Sequence, residues 1–447
     1  MHVSTESAAT VQPQCWRPVL ASELKAQALA AVQEIVAALP DPASAELQDA
    51  SLSGGTSGLA VLCAYLSRVG LDDDENATQF LARAFAAVAA TPMSSSLYSG
   101  FTGIAWTAAH LQAQLMDTDA AADPCAEIDR ALLDYLSCSP WDGDYDLING
   151  LVGIGVYALE RLPRASARAC LALVVERLAE TAEHNADGIT WHTRPHLLPK
   201  YQREQCPAGY YNLGLAHGMP GGVALLGAVC AAGVAREHAR TLLDGAVAWL
   251  LRQRLNADMQ SSFSSWLSLG AETDDCRLAW CYGDAGVAAA LFVAARAVGE
   301  AVWEREALTI ARRAAQRPPE SAGVRDAGLC HGAAGLGHIF NRLYQATGLE
   351  ELGAAARYWF AQTLTHRRAG QGIAGFAARR RNEAGADEWV AEVGILEGAA
   401  GIALALLAAA TNVEPAWDRI LLVSLPGVWL SAPSDSRRIR LNRAERA

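Results

Sequence analysis

The sequence predicts an all-α protein, an α/α toroid of seven inner and seven outer helices, on three observations. A Gly-x-x-Gly step recurs seven times, each copy runs straight into an almost wholly apolar stretch, and an amphipathic stretch separates successive copies. A helix that is apolar all round belongs inside and one with a charged face belongs outside, so alternating pairs imply two concentric layers.

The glycine steps are Gly55-Thr-Ser-Gly58, Gly100-Phe-Thr-Gly103, Gly150-Leu-Val-Gly153, Gly218-Met-Pro-Gly221, Gly283-Asp-Ala-Gly286, Gly332-Ala-Ala-Gly335 and Gly398-Ala-Ala-Gly401. Without Cβ atoms, such pairs permit a tight turn into each inner helix and close approach between neighbouring helices. The amphipathic stretches run roughly through 24–39, 76–90, 125–138, 166–183, 236–254, 303–316 and 350–365. Strand-like sequence is scarce. Its exception is a small, partly β insertion at about 185–212, before Ala216-His217-Gly218, with Gly188-Ile-Thr-Trp-His-Thr193 and several prolines. One domain is expected over 1–434, with a mobile tail at 435–447 that carries five arginines.

With 447 residues, 51% of them hydrophobic and 19% charged, the chain is globular and has ample material for a large core. A net charge of −12 argues against a nucleic-acid partner or an anionic membrane surface, since both require clustered positive charge. Neither a secretory signal nor a transmembrane segment is expected, because the longest apolar runs fall short of the ~20 residues a spanning helix needs. The expected location is cytoplasmic, with association to a membrane only through a larger complex. Ten scattered cysteines do not form a disulfide framework; Cys63, Cys170 and Cys230, set among Ala, Leu and Val, read as buried thiols.

If the turns are equivalent, residues just before each first glycine share one rim of the toroid. Immediately before it stand Gly54, Ser99, Asn149, His217, Tyr282, His331 and Glu397; one residue earlier stand Ser53, Tyr98, Ile148, Ala216, Cys281, Cys330 and Leu396. Two thiols and two imidazoles therefore gather in repeats four to six. Cys281, Cys330 and His331 suit tetrahedral Zn²⁺ with one position open, the mark of a catalytic site. The plainer alternatives are two buried thiols and a helix-cap histidine, and for His217 a structural hydrogen bond. Two thiolate ligands favour a reactive bound sulfur over a polarised water, which points to alkylation or conjugate addition at sulfur and away from peptide hydrolysis. The chain carries no His-Glu-x-x-His, Walker A or Rossmann glycine loop.

The blocks Asn212-Leu-Gly-Leu-Ala-His-Gly-Met-Pro-Gly221, Trp280-Cys-Tyr-Gly283, Cys330-His-Gly332 and Leu396-Glu-Gly-Ala-Ala-Gly401 closely resemble the signature of LanC-type lanthionine synthetases, the lanthipeptide cyclases. The likeness extends over about residues 20 to 430. It implies zinc on Cys281, Cys330 and His331, and a peptide cysteine that attacks dehydroalanine or dehydrobutyrine to form a lanthionine or methyllanthionine thioether ring. It assigns acid/base work to His217. By the same resemblance Arg277 stabilises an enolate oxygen, Asp146 orients or relays protons and Tyr282 hydrogen-bonds the substrate; a rim ion pair is the alternative for Asp146 and Arg277. The implied partners are a dehydrated, leader-bearing precursor peptide, a separate dehydratase and an exporter, for a stand-alone cyclase. Two rivals stand beside this: a zinc prenyltransferase β-like subunit, where an aspartate ligand is expected, and a LanC-like zinc protein that binds glutathione or a partner without cyclising peptides.

Overall fold

The computed structural model describes residues 16–115, 123–268, 270, 274–381 and 386–425. The expected tail at 435–447 lies outside them. The outer helices are α1 (Ser22–Ala38), α3 (Asp74–Ala90), α5 (Ala126–Leu136), α7 (Ala165–Thr181), α10 (Arg236–Arg252), α12 (Ala301–Gln316) and α14 (Glu350–Thr365). They alternate along the chain with the inner helices α2 (Thr56–Ser67), α4 (Phe101–Leu115), α6 (Leu151–Glu160), α9 (Met219–Ala231), α11 (Asp284–Val298), α13 (Ala333–Thr347) and α15 (Ala399–Ala410).

Burial separates the two layers as the residue pattern requires. In α15 every residue from Ala399 to Ala410 is buried. In α12 the buried positions are Ala307, Ile310, Ala311 and Ala314, one stripe at helical spacing. Inner helices pack in sequence order, and α15 returns to α2, which closes the ring. The segment before α1 seals the outer seam: Trp16 Nε1 donates to the Ala408 carbonyl at 2.8 Å and Val19 N to the Ala409 carbonyl at 3.0 Å.

The glycine steps act through close approach. A Cβ on Gly221 would lie 2.5 Å from the Leu215 carbonyl oxygen, six residues back in its own turn. In most steps the same glycine also receives a side chain from the neighbouring turn. A Cβ would lie 2.9 Å from Leu52 at Gly103, 2.9 Å from Leu97 at Gly153, and 3.1 Å from Ile395 at Gly58. The last of these joins repeat seven to repeat one. Gly283 differs in its φ of +104°, a conformation only glycine adopts without strain.

The insertion before α9 is partly β, as expected, and also holds a short helix. Strands β1 (Glu183–Asn185) and β2 (Gly188–Thr190) form an antiparallel hairpin, the short helix α8 (Lys200–Gln205) follows, and β3 (Tyr211–Asn212) pairs with the distant β4 (Trp266–Leu267). A second hairpin, β5 (Ala378–Arg381) with β6 (Asp387–Val390), lies between α14 and α15. After α15 a 3₁₀ turn, Ala416–Leu421, enters the ring: Tyr98 Oη donates to the Ile420 carbonyl at 2.7 Å and Trp280 Nε1 to the Leu421 carbonyl at 2.9 Å. It carries charge inward, yet that charge is paired. Asp418 meets His338 at 2.6 Å and Arg342 at 2.5 Å, and Arg419 meets Glu160 at 2.9 Å.

Candidate metal centre and its rim

The turns before the inner helices are laced together by backbone hydrogen bonds at the register that carries the two cysteines. Leu147 N donates to the Ala216 carbonyl, Ala216 N to that of Cys281 at 3.3 Å, Cys281 N to that of Cys330 at 3.2 Å, Cys330 N to that of Leu396 at 2.7 Å, and Leu396 N to that of Ser53. Residues 49 positions apart are thereby neighbours through a single peptide contact. The ladder explains why Cys281 and Cys330 meet without any local motif.

The ligand atoms of Cys281, Cys330 and His331 all lie within 4.8 Å of one another. Cys281 is buried, while Cys330 and His331 are partly open to the rim. Nε2 of His331 faces Oδ2 of Asp326 at 3.3 Å, and Oδ1 of Asp326 accepts the Gly328 amide at 3.0 Å. A carboxylate held on the far nitrogen leaves Nδ1 for the sulfurs and is the usual second partner of a metal-bound imidazole. Two soft sulfurs, one imidazole and its supporting carboxylate fit a zinc ion.

Charge at this cluster is arranged to hold sulfur as thiolate. Hydrogen bonding from the Cys330 thiol, joined by His331 and Arg277, holds Cys281 well below the usual thiol range against the opposing effect of burial. Cys330, facing that sulfur, is pushed well up. Burial disfavours charge on His331, but the Asp326 and Cys281 contacts outweigh it and raise the imidazole to about 10. Arg277 Nη2 stands 3.2 Å from the Cys281 sulfur.

Next to the cluster, His217 Nδ1 lies 2.7 Å from Asp146 Oδ2, and the other Asp146 oxygen accepts the Asn149 amide at 2.7 Å. Asp146 is buried, whereas the His217 side chain keeps 38% of its surface exposed. Burial draws the His217 pKa down, but the Asp146 hydrogen bond and charge, with Cys281 behind them, leave it raised. The Tyr282 ring stacks on His217 with centroids 6.2 Å apart, and the Arg277 guanidinium carbon is 5.9 Å from the same ring. Trp266 of β4 meets it edge-on at 6.2 Å.

All seven residues singled out from the sequence therefore share one rim. The ion pair considered for Asp146 and Arg277 is replaced by two separate contacts, Asp146 with His217 and Arg277 with the Cys281 sulfur. Asp326 is a site residue that reading missed. Its signal was available: it occupies the position six before the first glycine, as Asp49 and Asp144 do in their own turns. Asn212 was quoted without a role, and its amide donates to Tyr282 Oη at 3.0 Å. Arg380, delivered by β5, pairs at the rim with Glu392 and, at 3.5 Å, with Glu397.

The comparisons with known proteins agree with this fold. The family model for lanthionine synthetase C-like proteins matches residues 46–422. The chain is 25% identical over 272 residues to the nisin biosynthesis protein NisC of Lactococcus lactis subsp. lactis, a match covering 56% of this chain and 63% of that protein's length. Among solved structures it resembles a nisin cyclase with a TM-score of 0.70 at 20% identity, over 89% of this chain and 97% of that one.

Proposed function

The chain belongs to the lanthionine synthetase C-like family, and from that premise we propose that it is a zinc-dependent lanthipeptide cyclase. It adds peptide cysteine thiols to dehydroalanine or dehydrobutyrine to close thioether rings. The observation that carries the reading is the convergence of Cys281, Cys330 and His331 within 4.8 Å beside the His217–Asp146 pair. A zinc ion held by those three residues would keep a fourth, incoming sulfur deprotonated at neutral pH.

The chain's own groups account for the rest of the reaction. As the substrate sulfur bonds to the β-carbon, the alkene electrons move toward the adjacent carbonyl and charge develops on its oxygen. Arg277, 3.2 Å from the Cys281 sulfur, and Tyr282, stacked on His217, would donate to that oxygen, and preorganised donors of this kind contribute strongly to rate. Since Nδ1 of His217 is engaged by Asp146, Nε2 is the atom left to serve substrate. The Asp146 contact favours the protonated imidazole, from which Nε2 delivers a proton to the α-carbon; such transfers contribute about 10²–10⁴-fold.

The ring with its insertion acts in this reading as a single catalytic domain, on a dehydrated leader-bearing peptide supplied by a separate dehydratase and passed on to an exporter. No helix among the described residues is long and apolar enough to cross a membrane, and a cytoplasmic site of action is part of the proposal. The test is incubation with a chemically or enzymatically dehydrated Ser/Thr/Cys peptide, followed by a thiol-alkylating probe and mass spectrometry. Loss of alkylatable thiols at unchanged peptide mass supports the cyclase; retention of every free thiol with a zinc-loaded protein supports the binding-protein alternative.

A further inference from the structure

The polarity of one hydrogen bond on the rim can be read without ambiguity. Asn212 is 1% exposed, and its side-chain oxygen faces the backbone N–H of Gly214 at 2.9 Å. An amide N–H is only a donor, so this contact fixes which end of the Asn212 carboxamide is oxygen. The NH₂ end therefore faces Tyr282 Oη at 3.0 Å and must donate. The tyrosine oxygen is thereby an acceptor toward Asn212, and its own proton points elsewhere.

Little freedom remains for that proton. The Tyr282 ring is clamped by His217 on a stacked face, by Trp266 edge-on, and by the Arg277 guanidinium. Asn212 is itself anchored in β3, paired with Trp266 of β4, so the strand that fixes the amide also sets the ring's edge contact. An otherwise rotatable phenol becomes a donor of set direction.

We propose that Asn212 is a positioning residue that makes Tyr282 a one-way hydrogen-bond donor to the oxygen on which charge develops during thiol addition. This rests on the cyclase reading given above. The amide supplies the tyrosine oxygen with one donor and, among the described residues, no acceptor faces the hydroxyl, so its proton serves substrate and not the rim. It also gives the short β3–β4 pair, which closes no part of the ring, a purpose.

The experiment compares Asn212→Asp, Tyr282→Phe and the double variant, with Asn212→Ala as a further variant in case the aspartate disturbs folding. An Asp carboxylate still accepts the Gly214 amide but now accepts from Tyr282 as well, and draws its proton away from the site. Asn212→Asp should lower kcat on dehydrated peptide on the order of 10²-fold, as loss of one preorganised donor does, with KM and zinc content unchanged. The double variant should be no slower than Tyr282→Phe alone. Asn212→Ala, which frees the hydroxyl to rotate, should fall between wild type and Tyr282→Phe. Full activity in Asn212→Asp, or effects that multiply in the double variant, would overturn the proposal.

A second measurement is independent of any activity. The tyrosine ring doublet in Raman difference spectra against Tyr282→Phe should read Tyr282 as an acceptor in the wild type and as a strong donor in Asn212→Asp. Identical doublets would overturn the assignment of Asn212. The expected doublet change between wild type and Asn212→Asp, together with a wild-type protein that closes no rings, would instead defeat the cyclase reading.

Discussion

His217 Nδ1 and Asp146 Oδ2 lie 2.7 Å apart, with the second Asp146 oxygen tied to the Asn149 amide. The carboxylate thus orients the imidazole through Nδ1 and raises its pKa. His217→Ala should slow ring closure by about 10²–10⁴-fold while the metal stays bound. In Asp146→Asn the histidine loses the group that raises its pKa, so the alkaline fall in kcat, which marks loss of the His217 proton, should move to lower pH. The pair's contribution to stability follows the same sign: it is complete below the unfolded value of about 6.5 and lost as pH rises through the raised folded value. An Asp146→Asn profile that overlays the wild type would remove the assigned role.

Asp326 should matter to the metal more than to the chemistry. It touches His331 from the side away from the sulfurs, and Asp326→Asn keeps the shape but removes the charge. Zinc affinity measured by competition with a chromophoric chelator should fall roughly 10–100-fold. Unchanged affinity would mean that the carboxylate is only a turn-forming residue.

Two adjacent glycines should respond to alanine with opposite signs. At Gly221 the new methyl would sit 2.5 Å from the Leu215 carbonyl oxygen, a backbone atom that cannot yield cheaply, and about 1–3 kcal/mol should be lost. At Gly222 nothing lies within 4 Å, and replacing a helical glycine should add about 0.5–1 kcal/mol. Thermal unfolding of the two variants decides this; equal shifts of the same sign would contradict the packing described for the glycine step.

Inside the ring, Asp418 offsets the buried charge of Arg342, and Asp418→Ala would leave that guanidinium only the part-exposed Glu414 and the Pro415 carbonyl, at a cost of about 3–5 kcal/mol. Burial alone would raise the Asp418 carboxyl, but Arg342 and His338 pull it down to about 2. Its contribution is therefore present above an unfolded value near 3.9 and disappears as pH falls through about 2. Urea midpoints of wild type and variant should converge across that window. A gap that stays constant would assign the loss to packing alone.

The ring and its Cys-Cys-His corner were legible in the sequence because one physical need, a close turn into a buried helix, repeats at every step and lends all seven turns a common register. That register placed Cys281, Cys330, His331 and His217 on one rim before any coordinates. Parts that occur once had no such support. The β5–β6 hairpin is built on arginines and acids, with little of the β-branched alternation that marks a strand. The 3₁₀ turn at 416–421 carries Asp418 and Arg419, residues whose charge suggests an exposed segment; only their partners on other helices, His338, Arg342 and Glu160, explain why they lie within the ring. Asp326 and Asn212 act by supporting another side chain, and support is a relation in space that a linear pattern does not display.

The central claim is that Cys281, Cys330 and His331 together hold a zinc ion on which ring closure depends. Metal analysis of the purified protein beside Cys330→Ala, with cyclisation assayed on the same samples, tests it most directly. About one zinc per wild-type chain is expected, with loss of both metal and thioether formation in the variant. A Cys330→Ala protein that keeps its full zinc content and closes rings at the wild-type rate would contradict it.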